Sequence, residues 1–112
     1  MSQSRSLLTE SVTAASAITS HRFVNFSKAQ AAAGDNVLGV AVSDGEADQY
    51  VPVAVRGTAV VEAGAAVSYG QLLEPDADGR AIPTSGAGNP QVARALGDAA
   101  TGEEVEVLLL SN

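Results

Sequence analysis

The sequence predicts an all-β fold, a small single-domain β-barrel or β-sandwich of short strands, on three observations. Turn signals made of Gly, Asp and Pro recur about every 8–12 residues, which is typical of such folds. Between the turns, Val and Leu alternate with smaller or polar residues, as in strands with one buried face. The length of 112 residues suits one domain, at roughly 100–200 residues per domain.

Short strands are predicted where these apolar residues alternate or run together. In chain order they cover residues 23–26, 37–42, 50–55, 58–62, 72–73, 80–82 and 104–110. Because Pro52 has no N–H to donate, the strand that contains it is expected at an edge of the sheet or at a bulge. The run Leu108-Leu109-Leu110 at the end of the last strand is expected to be buried on both faces.

The segments between these strands are predicted to be turns and loops. Asp44-Gly45 and Asp76-Ala77-Asp78-Gly79 are turn signals, Gly57 marks a bend, and residues 84–90 form a loop. Residues 28–33 and 89–96 have some helical character, but both stretches are short and are expected to form turns at most.

Two stretches of the chain resemble each other. Leu38-Gly39 leads through a Gly-Glu turn into Val51-Pro52-Val53, and Leu96-Gly97 leads through a second Gly-Glu turn into Val105-Glu106-Val107. The similarity has two interpretations, two ordinary hairpins or an ancient duplication, and the sequence leaves both open.

Charge and composition exclude several classes of function. With 13 acidic and 6 basic residues the net charge is −7, which argues against binding to nucleic acid or to an anionic membrane surface. The chain has no cysteine and a single histidine, His21, which excludes disulfides, thiolate catalysis, cysteine-ligated zinc and multi-histidine metal sites. No run approaches the roughly 20 apolar residues of a membrane span. Residues 1–10 lack the apolar stretch of a signal peptide, so we expect a soluble protein made in a cytoplasm.

The core is predicted to be thin. Alanine accounts for 21 residues, whereas Val, Leu, Ile and Phe together number 27. A domain of this size buries a modest share of its surface even with larger side chains. We therefore expect the fold to gain stability from a partner or from oligomerisation.

No catalytic, cofactor or metal site is predicted. General acid–base chemistry uses His or paired carboxylates in a pocket, but His21 begins a strand and most acids fall in turns. The stretch 74–79 matches the start of a calcium loop, yet the twelfth position of that loop, Ser85, lacks a carboxylate. We therefore interpret His21 as a structural residue and residues 74–79 as a hairpin turn.

The first 20 residues differ in composition from the rest of the chain. They are rich in Ser, Thr and Ala, and their larger aliphatic residues are Leu7, Leu8, Val12 and Ile18. Such a segment builds no core of its own, so residues 1–20 are either a disordered tail or an extended arm that orders on a partner. Residues 21–112 are predicted to form the β-rich domain.

The order of several short motifs resembles a known family. The motifs are Arg22-Phe23-Val24, Leu38-Gly39-Val40-Ala41, Val53-Ala54-Val55-Arg56-Gly57, Val60-Val61-Glu62-Ala63-Gly64-Ala65-Ala66-Val67, Gly70, Leu72, Asp76, Gly79-Arg80-Ala81, Ala95-Leu96-Gly97-Asp98-Ala99-Ala100 and Glu104-Val105-Glu106-Val107-Leu108-Leu109. In order and spacing, over residues 10–110, they resemble the capsid cement, or head decoration, proteins of tailed phages.

This resemblance implies a structural virion protein without catalytic residues or cofactors. It implies a β-rich domain on the outer surface of the mature capsid, made in the host cytoplasm and bound as a trimer at three-fold and quasi-three-fold positions. The implied partners are the major capsid protein and other copies of the chain, with no nucleic acid and no membrane. The arm, residues 1–20, would add a strand to the capsid protein's sheet. Its candidate contact residues are Leu7, Leu8, Val12 and Ile18.

Other functions are kept as alternatives. The first is another small β-barrel component of the virion, such as a connector, tail or fibre module. A ligand-binding barrel would need a cavity lined by aromatic residues, and the chain has two Tyr and two Phe. Copy number separates the virion components, because a cement protein is abundant in the virion and a connector or tail protein is not.

Overall fold

The fold is a nearly closed β-barrel made from one sheet. The computed structural model describes residues 6–84 and 91–110, and the regular elements within them are all strands. The strands are β1 (Ser6–Thr13), β2 (Phe23–Asn25), β3 (Val37–Ala41), β4 (Tyr50–Glu62), β5 (Leu72–Pro75), β6 (Ala81–Pro83), β7 (Ala93–Ala95) and β8 (Glu104–Leu109). The predicted all-β class is confirmed. Residues 1–5 of the predicted arm and 85–90 of the predicted loop lie outside the described residues.

The strand order brings the two ends of the sheet together. The strands follow the order β2-β3-β4-β8-β7-β5-β6 with antiparallel pairing, and β1 is added beside β4. β4 is 13 residues long, and its first part pairs with β1 while its second part pairs with β8. The N–H of Phe23 on β2 donates to the C=O of Gly79 in the β5–β6 turn at 2.8 Å. A bridge between Ala63 and Ala81 adds a second link, from the end of β4 to β6.

The barrel consists of two copies of one structural unit. Ile18 and Gly45 exchange two main-chain hydrogen bonds of 2.8 and 2.9 Å, and Val67 and Ala99 exchange the same two at 2.9 and 3.0 Å. β1 pairs with the first part of β4, and in the same way the second part of β4 pairs with β8. The second part of β4 therefore corresponds to β1, and β8 corresponds to the first part of β4. The order β2-β3-β4 likewise returns as β5-β7-β8. One long strand, β4, therefore belongs to both units.

We name residues 6–55 the first repeat and residues 57–109 the second repeat. Two positions are equivalent when they hold the same place in the hydrogen-bond pattern. Val42 is equivalent to Leu96, because each donates its N–H to the strand that follows it, over 2.9 Å. The structure thus supports duplication over ordinary hairpins. The alignment suggested by the sequence matched Leu38 with Leu96, whereas in the structure Val42 is the residue equivalent to Leu96.

The apolar core follows the two repeats. The smaller cluster lies in the first repeat and consists of Val12, Ala14, Ile18, Val24, Ala41, Val51 and Val53. The equivalent positions of the second repeat all belong to the larger cluster inside the barrel, namely Val61, Ala63, Val67, Leu73, Ala95, Val105 and Val107. We name these clusters the first-repeat core and the barrel core. Equivalent registers turn equivalent side chains inward, so each repeat buries the same small set of residues.

Two predictions about strands are wrong. Residues 93–95 form β7 where a turn was predicted, because Ala93 and Ala95 are buried between β5 and β8. β4 is a central strand and not an edge, although it contains Pro52. The regular β3–β4 pairs end before Pro52, whose C=O accepts the N–H of Val42, so the missing N–H breaks no pair of that ladder.

The prediction for the end of the last strand is wrong as well. Leu108 is 39 % exposed, and Leu109 and Leu110 are half-buried. One face of β8 covers the barrel core through Val105 and Val107, while the other face points to solvent.

Candidate functional site

A cluster of charged side chains lies at the seam where the barrel closes. Arg22 Nη2 and Nε lie 3.1 and 3.3 Å from Glu62 Oε1. Arg80 Nη1 lies 3.7 Å from the other oxygen of Glu62, and Arg80 Nε lies 3.2 Å from Asp76 Oδ2. These side chains are 16–27 % exposed, so water screens them only in part. The start of β2, the end of β4 and the β5–β6 turn are thereby held together.

The acids of the predicted calcium-like stretch serve this turn. Asp76 Oδ1 accepts the N–H groups of Asp78 and Arg80 at 2.8 and 2.9 Å, as in an Asx turn. The interpretation of this stretch as a hairpin turn is confirmed. Among residues 6–84 and 91–110, no group of three or more His, Asp or Glu side chains is arranged to hold a metal ion.

His21 connects the two repeats. Its Nδ1 lies 2.8 Å from Glu104 Oε2 of the second repeat, and its C=O accepts the N–H of Glu62 at 2.8 Å. Its N–H donates to Ala41 of the first repeat at 2.9 Å. Its φ of 61° places it in the left-handed region, where the equivalent residue, Gly70, also lies with a φ of 86°. These contacts agree with the structural role predicted for this histidine.

A small apolar cavity lies beside His21. It is lined by His21, Val40, Ala41, Val42, Ala59 and Val60. His21 is the titratable residue of this lining, and its Nδ1 already contacts a carboxylate. Val40 of the first repeat and Ala59 of the second both line the cavity, which therefore lies where the two repeats meet.

Two aspartates hold loops by accepting hydrogen bonds in their charged form. The amide of Asn25 and the N–H of Ala32 donate to Asp35, and these bonds lower the pKa of its carboxyl. The N–H of Ser20 donates to Asp44 Oδ1 at 2.6 Å, and this bond lowers the pKa of Asp44. Both groups are therefore ionised at neutral pH and stabilise the loops around the first repeat.

The candidate contact residues of the predicted arm lie in two kinds of place. Val12 pairs with Val51 and is 7 % exposed, and Ile18 is 2 % exposed; both belong to the first-repeat core. Leu7 and Leu8 lie in the first half of β1, for which the structure describes the backbone. From residue 6 onward the backbone of the N-terminal segment thus pairs with β4, and Val12, Ala14 and Ile18 pack in the first-repeat core. The composition of the segment did not predict this pairing, because its partner strand, β4, lies far along the chain.

These features define a class of protein, a small β-barrel in which the charged side chains of the seam and the aspartates of the turns hold strands and loops together. A sequence profile of phage cement proteins matches residues 2–110, so the chain belongs to the phage cement protein family. It is a structural protein of the bacteriophage virion that associates with the capsid. No helix in the described part of the chain is long and apolar enough to cross a membrane.

The fold is shared with a solved phage structure. The chain is similar to the crystal structure of the head fiber gp8.5 N base in bacteriophage phi29, with a TM-score of 0.77 and 22 % identity. The match covers 92 % of this chain and 93 % of that chain. No curated protein sequence matches the chain.

Proposed function

We propose that this protein binds the outer surface of the mature phage head as trimers at three-fold and quasi-three-fold positions, and that it stabilises the shell. The observation that carries the proposal is the family match over residues 2–110, nearly the whole chain. Its binding partner is then the major capsid protein, and its role is not enzymatic. Repeated weak contacts over a closed shell add up to strong binding, so a small domain suffices.

The architecture supports a mechanical role. The seam of the barrel is closed by main-chain hydrogen bonds and by the Arg22–Glu62–Arg80 ion pairs, which makes the domain a stiff unit. The net charge of −7 keeps the exposed surface of a decorated head soluble. A stiff unit that grips several capsid subunits at once opposes their separation.

Co-sedimentation tests the proposal. The purified protein is mixed with expanded heads that lack it, and bound copies are counted per major capsid subunit. We expect saturation at about one copy per subunit, because a trimer at each three-fold or quasi-three-fold position places one copy over each of three subunits. No binding, or a handful of copies per head, contradicts the proposal.

The N-terminal segment, residues 1–20, stays the proposed contact with the capsid protein. Val12 and Ile18 are occupied in the first-repeat core, which leaves Leu7 and Leu8 as the contact candidates. β1 pairs irregularly in this region, with register shifts on both sides of Leu8, so its first residues are held less regularly than Thr9–Thr13. A segment held in this way is suited to strand addition.

A paired substitution tests this contact. The double variant Leu7→Ser/Leu8→Ser is expected to lose head binding while its free energy of unfolding stays close to that of the wild type. Phe26→Ser is the matched control, because Phe26 is an exposed apolar residue, 59 % accessible, elsewhere on the barrel. Unchanged binding of the double variant excludes Leu7 and Leu8 as the contact.

The alternative is another small β-barrel component of the virion, such as a connector, tail or fibre module. The similarity of fold to the phi29 head fiber base favours a fibre module over a connector or tail module. The same co-sedimentation separates a cement protein from a connector or tail component, because a connector or tail component occupies few positions on each head and a cement protein occupies most of them.

A further inference from the structure

A row of residues in the first repeat is buried against the second repeat. Phe23, Val40 and Ala54 are successive cross-strand partners on β2, β3 and β4. Each is at most 1 % exposed and belongs to the barrel core. The remaining face of the first-repeat sheet carries the first-repeat core, so this sheet is covered on both sides.

The equivalent row of the second repeat lies at the surface. Leu72, Arg94 and Leu108 are successive cross-strand partners on β5, β7 and β8. Arg94 is exposed, Leu108 is 39 % exposed and Leu72 is half-buried. We name these three residues the outer row. The second repeat thus presents to solvent the face that the first repeat buries inside the barrel.

The first repeat leaves the matching half of this contact open. In the second repeat, Ala59 and Val92 are 2 % and 1 % exposed inside the barrel core, to which the first repeat contributes. Their equivalents in the first repeat are Glu10, which is exposed, and Leu38, which is half-buried beside the first-repeat core. Val55 is also half-buried there. We name Glu10, Leu38 and Val55 the open side.

We propose that a second copy of this chain covers the open side with its outer row, so that copies join head to tail by repeating the contact between their own repeats. The occupant follows from charge complementarity. Within one chain, Val40 and Ala59 line the same cavity across the repeat contact. Between two copies, the equivalent residues are Arg94 of one and Glu10 of the next, which carry opposite charges.

The net charge of the chain explains why an ion pair between Arg94 and Glu10 would favour contact between copies. Copies with a net charge of −7 repel one another, and the chain has 6 basic residues to offset this. Arg94 is exposed in the middle of the outer row, and one of its guanidinium nitrogens donates to Gly70 C=O at 2.8 Å. Its other N–H groups have no hydrogen-bond partner among the described residues, so they are able to bind a carboxylate. An apolar contact within the chain is thus replaced by an ion pair between chains.

A head-to-tail contact of this kind is heterologous and either closes into a ring or grows into a filament. The trimer of the proposed function is a ring that closes after three copies. The inference rests on the proposed function only for the number of copies in the ring, which is three. The surfaces themselves follow from the repeat.

Cysteine cross-linking tests the surfaces directly, because the chain has no cysteine of its own. One preparation carries Glu10→Cys and a second carries Arg94→Cys, and the two are mixed with a short bis-maleimide reagent. The measurement is made in concentrated solution and on saturated heads. We expect a cross-linked dimer containing one chain of each kind. The control pair is Glu46→Cys with Lys28→Cys, two exposed positions outside the proposed contact, which is expected to give none.

Charge reversal is a second, independent test of the contact between Glu10 and Arg94. Glu10→Lys or Arg94→Glu alone is expected to weaken self-association by about tenfold, and the double variant is expected to recover most of it. Glu46→Lys and Lys28→Glu are the matched controls. The inference is overturned if residues 10 and 94 do not cross-link either in solution or on heads. It is also overturned if the double variant self-associates no more strongly than the single variants. The proposed function fails on a different result, namely that the wild-type protein does not bind heads.

Discussion

The N–H of Phe23 donates a 2.8 Å hydrogen bond to the C=O of Gly79, and this bond joins the first strand of the sheet order to the turn at its other end. Arg22 and Gln30 reinforce the seam, since both side chains donate to the C=O of Asp78, at 2.9 and 2.8 Å. Closure leaves fewer main-chain groups without partners at the sheet ends. It also brings the two repeats together around the barrel core.

Substitution of Gly79 is expected to destabilise the barrel. Gly79 has a φ of 80°, and an added Cβ would lie 2.9 Å from Gln30 Cγ and 3.2 Å from Ala31 O. Gly79→Ala is therefore expected to lower the free energy of unfolding by at least about 2 kcal/mol, from the left-handed φ and the close contacts together. The matched control is Gly102→Ala, with a φ of 87° and open space around the Cβ, for which about 1 kcal/mol is expected. Equal losses of the two variants in urea unfolding would show that the close contacts with Gln30 and Ala31 add no cost.

Removal of the charge on Glu62 is expected to weaken the same seam. Glu62→Gln takes away the carboxylate shared by Arg22 and Arg80, so about 1 kcal/mol of stability is expected to be lost. The loss should shrink as salt is added, because salt screens partly exposed ion pairs. Glu46→Gln, at an exposed loop carboxylate, is the control. A loss independent of salt would point to packing rather than charge.

Acid is expected to destabilise the loops of the first repeat. Hydrogen bonds from Asn25 and Ser20 lower the pKa values of Asp35 and Asp44 in the folded protein. Their contribution is therefore complete above the unfolded pKa, about 4 for Asp, and is lost as the pH falls through the lower folded pKa. Urea unfolding between pH 5 and about 2 is expected to show a shallower pH dependence in Asp35→Asn and Asp44→Asn. A wild-type slope in both variants would exclude these groups.

Truncation of Ile18 distinguishes a core segment from a separate arm. Ile18→Ala removes a side chain that is 2 % exposed in the first-repeat core, so a loss of about 2–4 kcal/mol in the free energy of unfolding is expected. Val42→Ala is the control, because Val42 is 51 % exposed. A variant that unfolds like the wild type but no longer binds heads would instead place Ile18 in the capsid contact.

Local chemistry explains which parts of the fold were predictable. The alternation of Val51 and Val53 marked a strand, and Asp76 to Gly79 marked a turn whose hydrogen bonds close within a few residues. Such signals depend on neighbours in the chain, so the sequence reveals them. The seam cluster carried no such signal, because Arg22, Glu62 and Arg80 are far apart in sequence and meet only when the barrel closes.

By itself, the sequence determined the all-β class, most strand positions, the acidic surface and the resemblance to phage cement proteins. Only the tertiary structure decided that residues 6–13 form a strand of the barrel and that two repeats share β4. The physical reason is that strand pairing is a long-range interaction. Val12 is buried because it lies opposite Val51, and nothing in the residues around Val12 specifies that partner.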